Sequence, residues 1–556
     1  MPIITINDKQ IEVEKGLNVI QAAERLGIEI PHYCYHPGLP VDGNCRMCLV
    51  EVKGPRGFMA QVGCNTPCTD GLEVRTNTEQ VKNMRQGVME FLLHNHPIDC
   101  PICDQAGECK LQDYYMKYGK YDNRSIVEKV HKEKVVDIGP TVVLDQERCV
   151  LCSRCVRFCS DITKTNELTI SERGVHSKIG VFPGYELKNN YSGNVVDICP
   201  VGALTSKDFR FKMRVWFMSS AKSICQGCSR GCNISADYKI PNVYRFKPRE
   251  NTQVNDYWIC DEGRFSYKKN KENRLLESFE NNEQVEYDYS VEKFNKIVKS
   301  AKAKYSSKAI VALASPESSV EDNFMLKKYM KEVLGSEKVY GASFKPLGFE
   351  DDLLIKADKT PNKKGLEYLG ISISEEDFIH ELEKKEIKLL IVMNNNFILE
   401  AGDKVSKLLD GVEIISLSPF NTETSKKASL SIPVSSYLEK YGSVVNFKGQ
   451  LQKFERAFDT FELDDSLAVS EWEFFGKIIA EVNKTNYHDI EDVWKDISNE
   501  VPSFSGLSFY EIPEKGLNVP EKIKKETEEK ERLQKEADEK AKLEAEKVEA
   551  EKPLQV

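Results

Sequence analysis

At 556 residues the chain is several times longer than a domain of roughly 100 to 200 residues, and about three to five domains are expected. A net charge of −10 argues against a nucleic-acid binder, which would carry a basic patch. No stretch approaches the roughly 18 uninterrupted apolar residues of a membrane span, and residues 1–14 lack the basic-then-apolar start of a signal peptide, so a cytoplasmic chain is expected.

All 17 cysteines lie between Cys34 and Cys260. Cysteines grouped as CxxC in a long chain point to metal binding, because the disulfide framework of a secreted protein belongs to short chains.

In chain order, residues 3–6 and 11–13 read as a hairpin around Asn7 and Asp8, followed by a helix over 17–26. Two strands and a helix ahead of a cysteine loop suit a small ferredoxin. The first cysteine group is Cys34, Cys45 and Cys48 of CRMC, and Cys64, on loops. A close pair with two outlying thiolates suits a 2Fe-2S cluster, with a structural zinc site as the alternative. Gly43 lets the loop wrap the sulfur by taking positive φ. Cys68 is either a small buried residue or the alternative to Cys64.

Val81, Met84, Val88, Phe91 and Leu92 predict a helix over 79–94. It leads into HNHPIDCPICDQAGEC, with His96, Cys100, Cys103 and Cys109. A neutral imidazole among thiolates makes a less negative site, which by analogy raises the potential. His94 is the alternative ligand, and either histidine can instead cap the helix. The third group is Cys149, Cys152, Cys155 and Cys159 of RCVLCSRCVRFC, with Cys199 in DICPVGALT. A CxxCxxC run with a remote Cys-Pro is the bacterial ferredoxin pattern for 4Fe-4S. Cys159 is left over, because the further cysteines of a second cluster are absent near Cys199. The fourth group, Cys225, Cys228 and Cys232 with remote Cys260, again suits 4Fe-4S.

Beyond Cys260, Lys/Glu-rich helices alternate with apolar runs at 309–314, 389–393 and 412–417, the pattern of an α/β domain with a parallel sheet. From Pro520 the chain is nearly all Glu, Lys and Ala. It reads as a solvated helix or a disordered tail, since no sustained heptad supports a coiled coil.

CRMCLVEV, HPIDCPICDQAGECKLQD, ERCVLCSRCVRFC and GNVVDICPVGALTSKDFRF, in this order, resemble the family of large iron-sulfur subunits (75 kDa type) of respiratory complex I, the NADH:quinone oxidoreductase. The resemblance implies a 2Fe-2S cluster on Cys34, Cys45, Cys48 and Cys64, and it puts Cys64, before Thr66-Pro67, at the ligand position. It implies 4Fe-4S clusters on His96, Cys100, Cys103 and Cys109, and on Cys149, Cys152, Cys155 and Cys199. A further 4Fe-4S site on Cys225, Cys228, Cys232 and Cys260 is similar to one that many bacterial members keep off the main electron route. SLSIPVSSYLEKYGSVVNFKGQLQ resembles a shortened molybdopterin-oxidoreductase domain.

The implied fold class is multidomain, α+β and α/β. It comprises a ferredoxin-like (β-grasp) 2Fe-2S domain over 1–78, a histidine-ligated 4Fe-4S region over 79–130 and an all-cysteine ferredoxin-like domain over 131–218. A molybdopterin-oxidoreductase-type 4Fe-4S domain over 219–275, the shortened α/β domain over 276–518 and a charged tail over 519–556 follow.

The function so implied is passage of single electrons from a flavin/NADH-binding partner subunit toward quinone, alongside other peripheral-arm subunits. The chain is then held on the cytoplasmic face of the cell membrane through the complex. With no GxGxxG or P-loop, it is not expected to bind NADH itself. The alternatives are the diaphorase subunit of an NAD-reducing hydrogenase, which usually ends soon after the third motif, and a molybdenum or tungsten formate dehydrogenase. No molybdenum is expected, because no cysteine follows Cys260 and Glu262 stands where such enzymes commonly carry a lysine.

Overall fold

Asn7 and Asp8 both take positive φ, 50° and 66°, the two-residue turn whose twist matches paired strands. Ile6 therefore pairs with Lys9, and the return strand is Lys9–Glu12, earlier than the expected 11–13. The next helix is Val19–Arg25, trimmed from the expected 17–26 by a capping box between Asn18 and Gln21. The hairpin joins a five-stranded sheet in the spatial order Lys9–Glu12, Ile3–Ile6, Glu73–Arg75, Leu49–Gly54, Gly57–Val62. Ile4, Ile6, Val19, Ile20, Val50 and Val74 form its core. The computed structural model describes the backbone of residues 1–122, 124–463 and 466–550, and their side chains except at 403, 404 and 539–550.

The second helix is Glu79–Asn95, one residue longer than expected, with Thr78 accepting from the Val81 N–H at its start. Val81 and Met89 face the core. Phe91 departs from the expected apolar stripe: it is 83% exposed. Two small antiparallel sheets that apolar periodicity did not announce support the later cysteine loops. One orders Leu204–Ser206, Val142–Leu144 and Val136–Asp137; the other orders Ser219–Ile224, Asn233–Lys239 and Asn242–Pro248.

The three apolar runs are strands, Ile310–Leu313, Leu389–Met393 and Glu413–Ser418, in a seven-stranded sheet. Val339–Tyr340, Ile310–Leu313, Leu389–Met393, Glu413–Ser418 and Leu430–Pro433 run parallel in that spatial order. The sheet is not purely parallel, because Ser278–Glu280 pairs antiparallel with Leu430–Pro433 on one side and with its hairpin partner Glu283–Val285 on the other. Asn281 and Asn282, at φ 51° and 67°, make the hairpin's tight turn.

Helix Val320–Tyr329 is buried nearly all round, acids included. Asp322 pairs with Lys440 at 2.7 Å, and Lys440 also pairs with Glu471. Glu321 accepts from Ser443 Oγ at 2.7 Å and Trp494 Nε1 at 2.6 Å. The lysine and these donors satisfy carboxylates that would otherwise be expensive to bury.

The charged segment forms the helix Val519–Ala550, exposed from Lys524 to Asp538. Residues 551–556 of the expected tail lie outside the described residues. No helix among the described residues is long and apolar enough to cross a membrane.

Candidate metal centres

The first group is gathered by the loop after helix Val19–Arg25 and by the ends of the strand pair Leu49–Gly54/Gly57–Val62. Gly43 has φ +70°, as its role in the loop requires, and Arg46 sits at φ 57°. Cys34 meets Cys45 and Cys64, and Cys48 meets Cys64. Hydrogen bonds from Cys45 and Cys64 hold the Cys34 sulfur well below the usual thiol range, helped by backbone N–H groups of Cys45 and Gly43. The same contact with Cys64 lowers Cys48. Cys68 packs in the same sheet core as Cys48 and Cys64, with Ile4 and Val19, but no thiol contact perturbs it: burial alone pushes its thiol up.

In the second group, His96 follows directly on helix Glu79–Asn95, and Cys109 precedes helix Lys110–Tyr118. Lys129 Nζ donates to the carbonyls of Leu93, His94 and His96 at 2.7, 3.0 and 2.8 Å, satisfying the helix end and fixing the histidine loop. His96 Nδ1 is buried without a hydrogen-bond partner, whereas His94 Nδ1 meets Ser125 Oγ at 2.9 Å. Burial pushes His96 down to about 4, so its ring is neutral at pH 7 and free to donate a lone pair. Burial also pushes Cys103 up, and Cys109 up to about 11. Arg214 anchors this loop through the carbonyls of Cys103 and Pro101 at 2.6 and 2.7 Å.

The third group surrounds a small cavity lined by Cys149, Cys152, Cys155 and Cys199 among Leu144, Val150, Ile179 and Val201. Leu151 and Ser153, at φ 51° and 61°, curl the CVLC loop, and the Leu151 N–H reaches Cys149 Sγ at 3.4 Å. Burial raises the four thiols, Cys149 to about 12 and Cys152 to about 11. Thiolates in so apolar a cage need a positive counter-charge, which a metal cluster supplies while displacing protons. Cys159 is fully buried and does not line the cavity.

The fourth group lines a small cavity with Gly227, Glu262, Gly263, Leu354, Ile355 and Lys359. Gly227 N–H points at Cys225 Sγ (3.4 Å) and Gly263 N–H at Cys260 Sγ (3.3 Å). Among the described residues, no three His, Cys, Asp or Glu side chains draw together as around one bare ion. In the third and fourth groups the four cysteines instead line one shared cavity. The donor sets, the cavities and the orphaned His96 nitrogen all fit iron-sulfur clusters.

The groups are also packed together. One apolar cluster joins Cys34, Met47, Cys109, Leu111, Cys152 and Val201, with Cys45, Cys149 and Cys199 at its edge, and so touches three of the four groups. Another joins Cys155 to Cys225, Cys232 and Cys260 through Phe158 and Trp258, whose rings are 4.9 Å apart. Arg157 donates to the carbonyls of both Cys34 and Cys152, and Arg154 to those of Tyr35 and Ile198, latching the first loop to the third. Gly202 lets the 199–203 segment run between the second and third groups, since a Cβ there would stand 2.3 Å from Cys103 Sγ. Neither the two arginines nor Gly202 stand out as candidates in the sequence. The arginines lie within the cysteine run, but the first-loop carbonyls they hold are more than a hundred residues away.

Four family models match in succession. They are a 2Fe-2S iron-sulfur cluster binding domain at 3–79, the NADH-ubiquinone oxidoreductase-G iron-sulfur binding region at 85–124, the ferredoxin-like domain of NADH-quinone oxidoreductase subunit 3 at 139–205, and an NDSU1/NuoG-like 4Fe-4S domain at 227–268. The NADH-ubiquinone oxidoreductase 75 kDa subunit of Reclinomonas americana is 37% identical over 446 residues, 78% of this chain and 62% of that one. Through these matches the chain is similar to the large, 75 kDa-type iron-sulfur subunits of complex I.

A second relative, an NADH-quinone oxidoreductase subunit of Rickettsia conorii, is 42% identical over 338 residues, 60% of this chain and 49% of that one. The chain thus spans about half to three fifths of the length of these relatives. A solved chain of an NAD+-reducing NiFe hydrogenase is 30% identical, over 38% of this chain and 91% of that one, with a TM-score of 0.35. As expected from the cysteine spacing, the chain carries an N-terminal 2Fe-2S ferredoxin-like domain followed by 4Fe-4S domains.

Proposed function

We propose that the chain is the iron-sulfur electron-transfer subunit of a proton-pumping NADH:quinone oxidoreductase, carrying single electrons from a flavin/NADH-binding subunit toward quinone. The observation that carries this reading is the shared apolar cluster that touches three metal-binding groups at once. Electron transfer weakens steeply with distance, and contiguous protein packing between centres keeps the separation short and water out.

Cys34, Cys45, Cys48 and Cys64 would hold one 2Fe-2S cluster. Three 4Fe-4S clusters would be held by His96, Cys100, Cys103 and Cys109, by Cys149, Cys152, Cys155 and Cys199, and by Cys225, Cys228, Cys232 and Cys260. Bound there, the clusters supply the one-electron redox chemistry. The chain's own residues space the cages, exclude water with Val201, Leu144 and Ile179, and aim N–H groups at sulfur, which tunes potential.

We place the domain boundaries at 78, 130, 218 and 275, between successive cysteine groups. We read 276–518 as a shortened molybdopterin-oxidoreductase-like α/β domain without molybdenum, supported by its parallel strands and by a polar crevice where Asn394, Pro419 and Ser435 follow the strand ends. The partners are the flavin subunit and other peripheral-arm subunits, which hold the chain at the cytoplasmic face of the membrane.

Elemental and spectroscopic analysis of the anaerobically purified chain tests this reading. It predicts about 14 irons per chain with matching sulfide and no molybdenum or tungsten. Zinc in place of iron, or stoichiometric molybdenum, would overturn it.

A further inference from the structure

After strand Val339–Tyr340, residues 341–362 carry no regular element and run out of the α/β body across the fourth cysteine group. The strap is pinned at three points. Tyr191 Oη donates to the Asp351 carboxylate at 2.7 Å and accepts from the Leu354 and Ile355 N–H groups at 3.0 and 3.2 Å. Arg230, inside the cysteine loop, donates to the carbonyls of Leu353 and Leu354 at 2.8 and 3.1 Å. The Ser229 N–H donates to the Asp358 carbonyl at 2.9 Å.

The strap brings two things to the cage. Leu354 and Ile355, nearly fully buried, close it against water. Lys359 lines it and pairs with Glu262 at 2.8 Å. Gly348 makes room for the lysine stem, because a Cβ there would stand 2.3 Å from Lys359 Cε. The pair is lopsided: the lysine side chain is 17% exposed and the glutamate 52%. Water therefore screens the anion more than the cation.

We propose that Lys359 and Glu262 form a potential-setting pair for the fourth cluster, with the 341–362 strap as the carrier of its cation. The inference rests on the assignment of Cys225, Cys228, Cys232 and Cys260 as cluster ligands. Reduction adds one negative charge to the cage. A cation at its wall favours the reduced state and an anion disfavours it, so removing the two partners must move the potential in opposite directions. A merely structural pair would not give opposite signs.

The experiment is redox potentiometry of the cluster-loaded full chain, followed by electron paramagnetic resonance, for wild type, Lys359→Met, Lys359→Arg, Glu262→Gln and the Met/Gln double variant. Lys359→Met should lower the midpoint of the fourth signal and Glu262→Gln should raise it. The downward shift should be about tenfold in the reduction equilibrium, equivalent to about 59 mV for one electron, and the upward shift smaller, since water screens the glutamate more. Lys359→Arg should stay near wild type, the double variant should fall below wild type by less than Lys359→Met because the better-screened glutamate offsets only part of the lysine, and the other three signals serve as unmoved internal references.

If Lys359→Met fails to hold the cluster, the upward shift in Glu262→Gln, a half-exposed position, still decides. A fourth signal that is present in wild type but unmoved in Glu262→Gln, or moved the same way by both single variants, overturns the pair. A wild-type chain with no fourth signal overturns the ligand assignment beneath it.

Discussion

Gly263→Ala separates the fourth cage from the fold around it. Gly263 lies in the short helix Asp261–Phe265, and a Cβ there would stand 2.9 Å from Cys225 Sγ and 3.4 Å from Cys260 Sγ. Comfortable contact begins at ~3.5 Å, so the Cys225 sulfur must retreat by roughly 0.6 Å. A free thiol does this by turning about χ1, at a cost on the order of 0.5–1.5 kcal/mol. A sulfur bonded to iron cannot, because metal–ligand distances hold to within about 0.2 Å. The variant should fold as the metal-free chain, with a melting curve close to wild type, yet lose about four of about 14 irons and one 4Fe-4S signal. Gly227→Ala is the graded control: its Cβ would meet the same sulfur at 3.5 Å, ordinary contact, and most of the iron should stay. Full iron content in Gly263→Ala would remove Cys225 from the ligand set. Loss of every cluster would show that the methyl acts on the fold, not on the cage.

His96→Ala should cost about four irons while His94→Ala keeps them, since the His94 ring nitrogen already has Ser125 as partner; loss in His94→Ala alone would exchange their roles. Cys159→Ser and Cys68→Ser should keep about 14 irons and Cys64→Ser should lose about two, counted by iron and sulfide per chain. A pH effect should come from Glu471, which burial, followed by the neighbouring Asp322 charge, raises to about 7. Its folded-state pKa exceeds the unfolded value near 4.5. The stability it contributes is therefore full below about 4.5 and is lost as pH rises through about 7. Amide-exchange protection in helix Glu471–Asn483 should fall over that window in wild type and hold level in Glu471→Gln; equal slopes would refute the assignment.

Local chemistry explains how much could be read from the chain alone. A CxxC loop places two ligands within one turn of backbone, so Cys45 and Cys48, or Cys149 and Cys152, are legible wherever they occur. Buried parallel strands are continuous apolar runs, and 389–393 could be bounded to the residue. Strand Gly57–Val62 offered no such signal because most of its side chains face solvent. The hairpin return was misplaced because a two-residue turn, rather than apolar spacing, sets the register.

What remained hidden is what joins the sites to one another. Arg157 serves Cys34 and Cys152 through backbone carbonyls, which any residue possesses, so no partner type marks the contact in sequence. The strap is the stronger case. An extended segment has no period, and Lys359 is one lysine among many in a Lys/Glu-rich region; only the fold carries it to Glu262. The position that Glu262 occupies, read from sequence, counted against a molybdenum enzyme, because such enzymes commonly carry a lysine there. In space a cation is there, supplied from a different part of the chain. Charge beside a cluster is thus a property of the folded wall around it, and a substitution inside a cysteine motif can be balanced by a residue far outside it. Opposite shifts in Lys359→Met and Glu262→Gln are what such balancing requires.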